Sequence, residues 1–181
     1  LFLNNSQRWK INLEVKSTPA EDTLTPPPDE MVSIIIKEIE KSKLEEKILI
    51  SSFDWRILKE FSIQMPNIAR GYLSFQQNSG VKIEKTIYKN SPWMDLALAF
   101  KEYDLPSLIK QIGGKVWCPF YRDKTKKDVD MAHEEGLVVN VWTVNKENDM
   151  KQMIKYGVDA IITDYPLVLK EVCEKNNIKW F

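Results

Sequence analysis

Residues 137–144 read LVVNVWTV, the strongest strand signal in the chain. Upstream of it, 124–135 has helical character, and Gly136 is a helix stop because glycine accepts the left-handed conformation that ends a helix. Downstream, 147–156 reads as a helix stopped by Gly157, 160–163 as a strand and 166–175 as a last helix. Towards the start, 115–118 (KVWC) is a short strand ending at Pro119, 96–100 is apolar and ambiguous in type, and 69–75 (ARGYLSF) is a strand. A helix over 55–63 carries Ile57, Leu58 and Phe61 and follows a buried strand at 47–53 (KILISSF). A helix over 29–47 places Val32, Ile35, Ile36 and Ile39 at helical spacing, with Asp29 and Glu30 at its positive end. Before it come the turn-rich 17–28, with Pro26, Pro27 and Pro28, and a short strand at 11–16 (INLEVK). Strands alternating with helices of about 10–15 residues make βαβ units and a parallel sheet. The class is α/β.

Which side of each strand is polar narrows the architecture. With a period of two, Asn12, Glu14 and Lys16 share one face of the first strand, and Ile11, Leu13 and Val15 the other. In 137–144, Asn140 and Trp142 share a face opposite Val139, Val141 and Thr143. An edge strand facing water accounts for the first pattern but poorly for Trp142. A closed parallel barrel accounts for both, with apolar residues meeting the helices and polar groups gathering at the barrel mouth.

Composition bounds the rest. The 181 residues suit a single domain over 1–181, and 43% apolar residues suffice for a core. Twenty-six Lys and Arg balance 26 Asp and Glu, which argues against sequence-independent nucleic-acid binding, since that needs a basic surface. No apolar run approaches the roughly 20 residues of a membrane span. Two cysteines, Cys118 and Cys173, are too few for a disulfide framework and fit a reducing, cytoplasmic setting. The opening Leu-Phe-Leu-Asn-Asn lacks a starting methionine, so processing or a longer parent stays open, and with it a periplasmic or secreted location.

Five segments in order resemble the glycerophosphodiester phosphodiesterase family, which uses a TIM barrel. Residues 12–16 (NLEVK) resemble its N-[IL]-E-[IV]-K strand, 51–53 its S-S-F strand end and 71–73 its G-[YF]-L segment. Residues 136–145 (GLVVNVWTVN) resemble G-x-x-V-x-V-W-T-V-N, and 157–166 (GVDAIITDYP) follow G-V-D-[GA]-I-I-T-D-Y-P. The resemblance implies hydrolysis of glycerophosphodiesters to glycerol 3-phosphate and an alcohol, with a divalent cation, Mg²⁺ or Ca²⁺. It also implies that the family's His-Arg-Gly, Glu-x-Asp and second-histidine motifs lie before Leu1. The expected fold is then an incomplete (β/α)8 barrel holding roughly the last five or six βα units. Such a chain is expected to be inactive alone and to self-associate through its open edges.

The same resemblance assigns the candidate site. Glu14 matches the family's third metal-binding carboxylate, suited to a hard cation; the plainer reading is an ion pair with Lys16. Lys16 is the catalytic candidate, a point charge for a phosphate oxygen. Trp142 and Phe53 are substrate-binding candidates, able to pack on a glycerol backbone or on a choline-like group by cation–π attraction.

Other residues read as structural. Asn140 fills a polar position inside the barrel. His133, the only histidine, lies near a helix C-terminus and suits a capping or surface role. Asp164 is expected to cap the last helix, and 124–127 to be a solvated helix start. Two rivals remain. One is a non-catalytic barrel remnant or binding module; the other is a phospholipase-type barrel using 91–100 (SPWMDLALAF) as a membrane-entering loop.

Overall fold

The computed structural model describes residues 10–19, 24–76, 85–88, 90–94 and 104–179. Among the described residues six strands alternate with six α-helices: β1 (Ile11–Glu14), α1 (Pro28–Ser42), β2 (Ile48–Ser52), α2 (Trp55–Gln64), β3 (Ala69–Ser74) and α3 (Leu105–Gln111) come first. They are followed by β4 (Val116–Pro119), α4 (Lys126–Glu134), β5 (Val138–Val141), α5 (Glu147–Tyr156), β6 (Ala160–Ile161) and α6 (Pro166–Lys175). All neighbours pair in parallel, and the spatial order β1 to β6 is the chain order. This is the winding of a βα barrel, in which each helix carries the chain back to start the next strand.

The sheet curls. Phe53 follows β2 and Trp142 follows β5, three strand spacings or roughly 14 Å apart across a flat sheet. Their ring centroids are 5.2 Å apart at 87°. The concave face is narrow at its middle, where Gly71 has no side chain. A Cβ there would lie 3.0 Å from Cys118 Sγ, 3.4 Å from Ser51 Cβ and 3.6 Å from Leu49 Cδ1.

The convex face packs against the helices. Ile50, Val139 and Val141 from the strands, Ile57, Leu58 and Phe61 from α2, and Val129 and Ala132 from α4 are all fully buried. Two large indoles in this layer satisfy their N–H groups: Trp55 Nε1 donates to Leu73 O at 3.0 Å and Trp117 Nε1 to Ser74 Oγ at 3.0 Å. Without those acceptors, burying either indole would leave an orphan donor costing about 1–3 kcal/mol.

Three elements depart from the sequence reading. The helix expected over 29–47 stops at Ser42, where Lys43 takes a left-handed φ of 55°, and a 3₁₀ turn, Glu45–Lys47, delivers the chain to β2. Helix α3 gave no periodic signal because it is only seven residues long. Its start was nevertheless marked: Asp104 accepts from Ser107 N at 3.1 Å, with Pro106 in the first turn. The expected helix over 124–135 begins at Lys126, where Thr125 and Asp128 form a capping box. The ambiguous 96–100 lies outside the described residues.

Two outcomes follow. Gly71→Ala should destabilise the fold by about 1–3 kcal/mol, since the added methyl overpacks a strand interior. Adding Cys118→Ala should restore most of that loss, because it removes the sulfur the methyl meets; denaturant titration of the three variants checks this. The β1 and β6 edges are unpaired with one another among the described residues. The chain should therefore self-associate and melt over a broad range, whereas a sharp two-state melt of a monomer in light scattering and calorimetry would contradict this.

Candidate active site

Parallel register sets which side chains share the concave face. Glu14 lies beside Ser51, and Ser51 beside Gly71. Continuing along the strands, Lys16 and Phe53 follow on the same side, and beyond them Phe75, Phe120 and Trp142 crowd the C-terminal end of the sheet. Phe120 and Trp142 form a parallel bridge, and their rings lie 5.1 Å apart. Phe75 is 5.3 Å from Phe120 and 6.4 Å from Trp142. The four sequence candidates thus reach the C-terminal rim of the sheet, the end at which TIM-barrel active sites are built.

Their environments differ. Lys16 Nζ is 3.9 Å from Glu14 Oε1, the plainer pairing anticipated above, but at a distance too long for a hydrogen bond. Glu14 and Lys16 are both exposed, with side chains 37% and 79% accessible, so neither is used up by the fold. Trp142 is buried and donates from Nε1 to Cys118 O at 2.8 Å, which fixes the plane of its ring. Phe53 is half-buried between two indoles, those of Trp142 and Trp93.

The concave face also carries groups that sequence reading underused. Ser51 Oγ and Asn140 Oδ1 are buried with no hydrogen-bond partner among the described residues. Trp93 was read only within a candidate membrane loop. Its ring instead contacts Phe53 at 6.4 Å, and its carbonyl accepts from Trp55 N at 2.8 Å. Ser91 and Met94 beside it are buried, so this part of 91–100 packs against the domain; 95–100 lie outside the described residues. Nothing in the sequence marked Trp93 for the rim, because the contact joins residues forty positions apart.

Residues assigned structural roles sit elsewhere. His133 Nε2 is 2.9 Å from Asp159 Oδ2, which also accepts from Val139 N at 2.8 Å. This pairing is at the N-terminal end of β5, opposite the rim. Asp164 does not cap α6: Tyr165 is the cap residue, and Asp164 Oδ2 accepts from Asn145 Nδ2 at 2.7 Å. Asn145 Oδ1 in turn accepts from Asp164 N and Thr163 Oγ1, so the motif's polar residues bond to each other across two βα turns. Lys124 is not part of a solvated helix start. It precedes α4, its Nζ lies 4.9 Å from the Trp117 ring centroid and bonds Gln76 Oε1, and burial lowers its pKa.

The donor set tests whether a divalent cation fits. Mg²⁺ and Ca²⁺ take six or more oxygens, usually including one or two carboxylates at least. The described residues offer Glu14 as a carboxylate, with Ser51 Oγ and Asn140 Oδ1 as unpartnered oxygens on the same face. No group of three or more His, Cys, Asp or Glu converges among the described residues. The chemistry is right for one wall of a hard-cation site and short of a whole one.

Cys118 shares this face and is fully buried. Burial, aided by the charge of Glu14, pushes its thiol from an ordinary 9.0 up to about 12. Between those values the unfolded chain loses the thiol proton and the folded chain keeps it. Stability should therefore fall as pH rises above about 9, by up to about 1.4 kcal/mol per pH unit. Cys118→Ala should flatten that decline in pH-dependent urea titrations, and an equally steep decline in the variant would refute the assignment. The native thiol should also resist a disulfide reagent at pH 8 until the chain is unfolded.

Comparisons with known proteins agree with this geometry. The model of the Glycerophosphoryl diester phosphodiesterase family matches residues 2–168. A glycerophosphodiester phosphodiesterase of Caldanaerobacter subterraneus subsp. tengcongensis is 30% identical over 165 residues, covering 91% of this chain and 56% of the relative. Another, from Bacillus altitudinis, is 29% identical over 132 residues, covering 72% of this chain and 44% of its own. A solved structure from Silicibacter pomeroyi, provisionally named a glycerophosphoryl diester phosphodiesterase, superposes with a TM-score of 0.74 at 32% identity, over 95% of this chain and 52% of that one. The chain therefore spans about half the length of the relatives it matches. No helix among the described residues is long and apolar enough to cross a membrane. With six parallel βα units in barrel order, an acidic and aromatic rim where barrels place their sites, and a family match over 2–168, the chain belongs to the glycerophosphoryl diester phosphodiesterase family.

Proposed function

We infer that this chain, a single domain over 1–181, is the C-terminal portion of a metal-dependent phosphodiesterase barrel. The reaction is hydrolysis of a glycerophosphodiester to glycerol 3-phosphate and an alcohol. The observation that carries this reading is the convergence of Glu14, Lys16, Phe53 and Trp142 on one rim of a curled parallel sheet.

A divalent cation, Mg²⁺ or Ca²⁺, supplies charge neutralisation at the phosphoryl oxygens when bound. Glu14 is one of its ligands, and the remaining carboxylates belong to the βα units that complete the barrel. Lys16, two residues beyond Glu14, offers an ammonium to a phosphate oxygen. Phe53 and Trp142, with Trp93 behind, form a wall that excludes water and packs against the carbon skeleton of the substrate. Proton transfer to the leaving alcohol and from the attacking water is the work of histidines outside these residues, since His133 is tied to Asp159 at the opposite end of the sheet. A cytoplasmic location accords with two buried free thiols.

A second reading, a binding module without turnover, is favoured by the missing convergence of metal-ligating groups among the described residues. One set of measurements separates the two. The polypeptide isolated from its source is weighed and its N-terminal residues read, and it is assayed alongside the 181-residue chain with glycerophosphocholine at saturating Mg²⁺ or Ca²⁺. On the enzymatic reading, the 181-residue chain shows no turnover, and the source polypeptide carries roughly 60 further residues for two βα units and is active. Glu14→Gln in that polypeptide should lower kcat by more than about 100-fold, since even supporting shells of metal sites are worth 10–100-fold. A source polypeptide beginning at Leu1 and lacking activity establishes the binding module instead.

A further inference from the structure

We propose that Asp54, with Ser52 and Ser17, positions Lys16 by clamping the backbone on both sides of it. The inference rests on reading Lys16 as the phosphate-binding cation.

The case begins with where β1 ends. Its last regular residue is Glu14, and one more ladder bond, Val15 N to Ser51 O at 2.8 Å, follows before the chain enters the proline-rich connection to α1. A lysine at such a place would fray with the strand end. Its own side chain does not hold it, being 79% exposed and 3.9 Å from Glu14. The backbone is held instead by side chains at the end of β2 and in the turn after it. Ser52 Oγ donates to Val15 O at 2.7 Å and accepts from Asp54 N at 3.0 Å. Ser17 Oγ donates to Asp54 Oδ2 at 2.8 Å. Residue 15 is tethered through its backbone and residue 17 through its side chain, so the chain is held on both sides of residue 16.

The anchor is itself fixed. Asp54 and Ser52 are fully buried. Asp54 Oδ1 accepts from Arg56 N at 3.1 Å, the N-cap bond of α2, and the Arg56 guanidinium closes on the carboxylate through Nε at 2.9 Å and Nη2 at 2.8 Å. A two-pronged guanidinium–carboxylate pair fixes orientation as well as distance. Capping α2 needs only the Oδ1 bond to Arg56 N. The bond from Ser17 to Oδ2 adds nothing to the cap, and it is the link that reaches Lys16.

Ser17→Ala cuts that link and leaves the cap and the guanidinium pair whole. The experiment compares the source polypeptide, loaded with Mg²⁺, with its Ser17→Ala, Lys16→Met and double variants. It reads peptide hydrogen exchange and calorimetric binding of glycerol 3-phosphate. In Ser17→Ala we expect exchange at 15–18 to rise roughly three- to tenfold, the range of one hydrogen bond, with exchange in β4 and β5 unchanged. Glycerol 3-phosphate affinity should fall by a similar factor, and Ser17→Ala should have no further effect in the Lys16→Met background. Ser17→Thr, which keeps the hydroxyl, should restore both readouts. Unchanged exchange in Ser17→Ala overturns the clamp. An equal loss of affinity with and without Lys16 also overturns it, because Ser17 would then act by another route. Failure of the functional reading looks different. Exchange in Ser17→Ala still rises, but neither the parent chain nor Lys16→Met binds glycerol 3-phosphate, and the proposal falls through its premise.

Discussion

Gly71 and Cys118 meet at the middle of the concave face with no room for another carbon: a Cβ on Gly71 would sit 3.0 Å from the sulfur. A sheet curls more tightly where its inner side chains are small. Ser51, Gly71 and Cys118 meet that condition in neighbouring strands, with Leu49 packed beside them. Once the middle is narrow, residues three strands apart touch at the rim, as Phe53 and Trp142 do. The candidate site is a consequence of that curl, since Glu14 ends β1, Lys16 follows it and Trp142 follows β5.

The two faces of the sheet obey different rules. The convex face is a conventional core of aliphatic and aromatic side chains, with the indole N–H groups of Trp55 and Trp117 matched to acceptors at strand ends. The concave face keeps polar atoms that the described residues do not satisfy, Ser51 Oγ and Asn140 Oδ1 among them. A buried polar atom without a partner costs free energy, so it persists where water or a ligand group supplies the missing bond. The rim above them is aromatic, with Glu14 and Lys16 exposed beside it. A fold spending its polar groups on stability would have placed them where partners exist. Here the indoles of the convex side, the cap of α2 and the strand-end clamp have their partners.

Much of this was legible from the sequence, for identifiable reasons. The alternation of Val139 and Val141 against Asn140 and Trp142 separated the two faces of β5, because a strand repeats every two residues whatever surrounds it. Glycines at 136 and 157 marked helix ends, and both have the positive φ that the reading requires, 75° and 83°. Reading failed where a local signal was ambiguous without its neighbours. The apolar spacing of 29–47 continued past Ser42, yet the chain turned at Lys43. Leu44 packs against the core from there and leads into β2. Asp164 stood where a cap belongs but bonded Asn145, nineteen residues away. Lys124 stood in a basic run, and only the packed structure put it over Trp117.

Taken by itself, the sequence determined what periodicity and residue chemistry determine, six strands in βα alternation with their polar and apolar sides, while Glu14, Lys16, Phe53 and Trp142 were marked through the resemblance of their segments to the family. Those properties are carried by neighbours along the chain, within a strand or a helical turn. The tertiary structure alone decided which of them meet. The approach of Phe53 to Trp142, the arrival of Trp93 beside them, the clamp of Ser17 and Ser52 about Lys16, and the removal of His133 to the far end of β5 all depend on contacts between distant segments. Such contacts are set by the curl and register of the sheet, which no local pattern specifies.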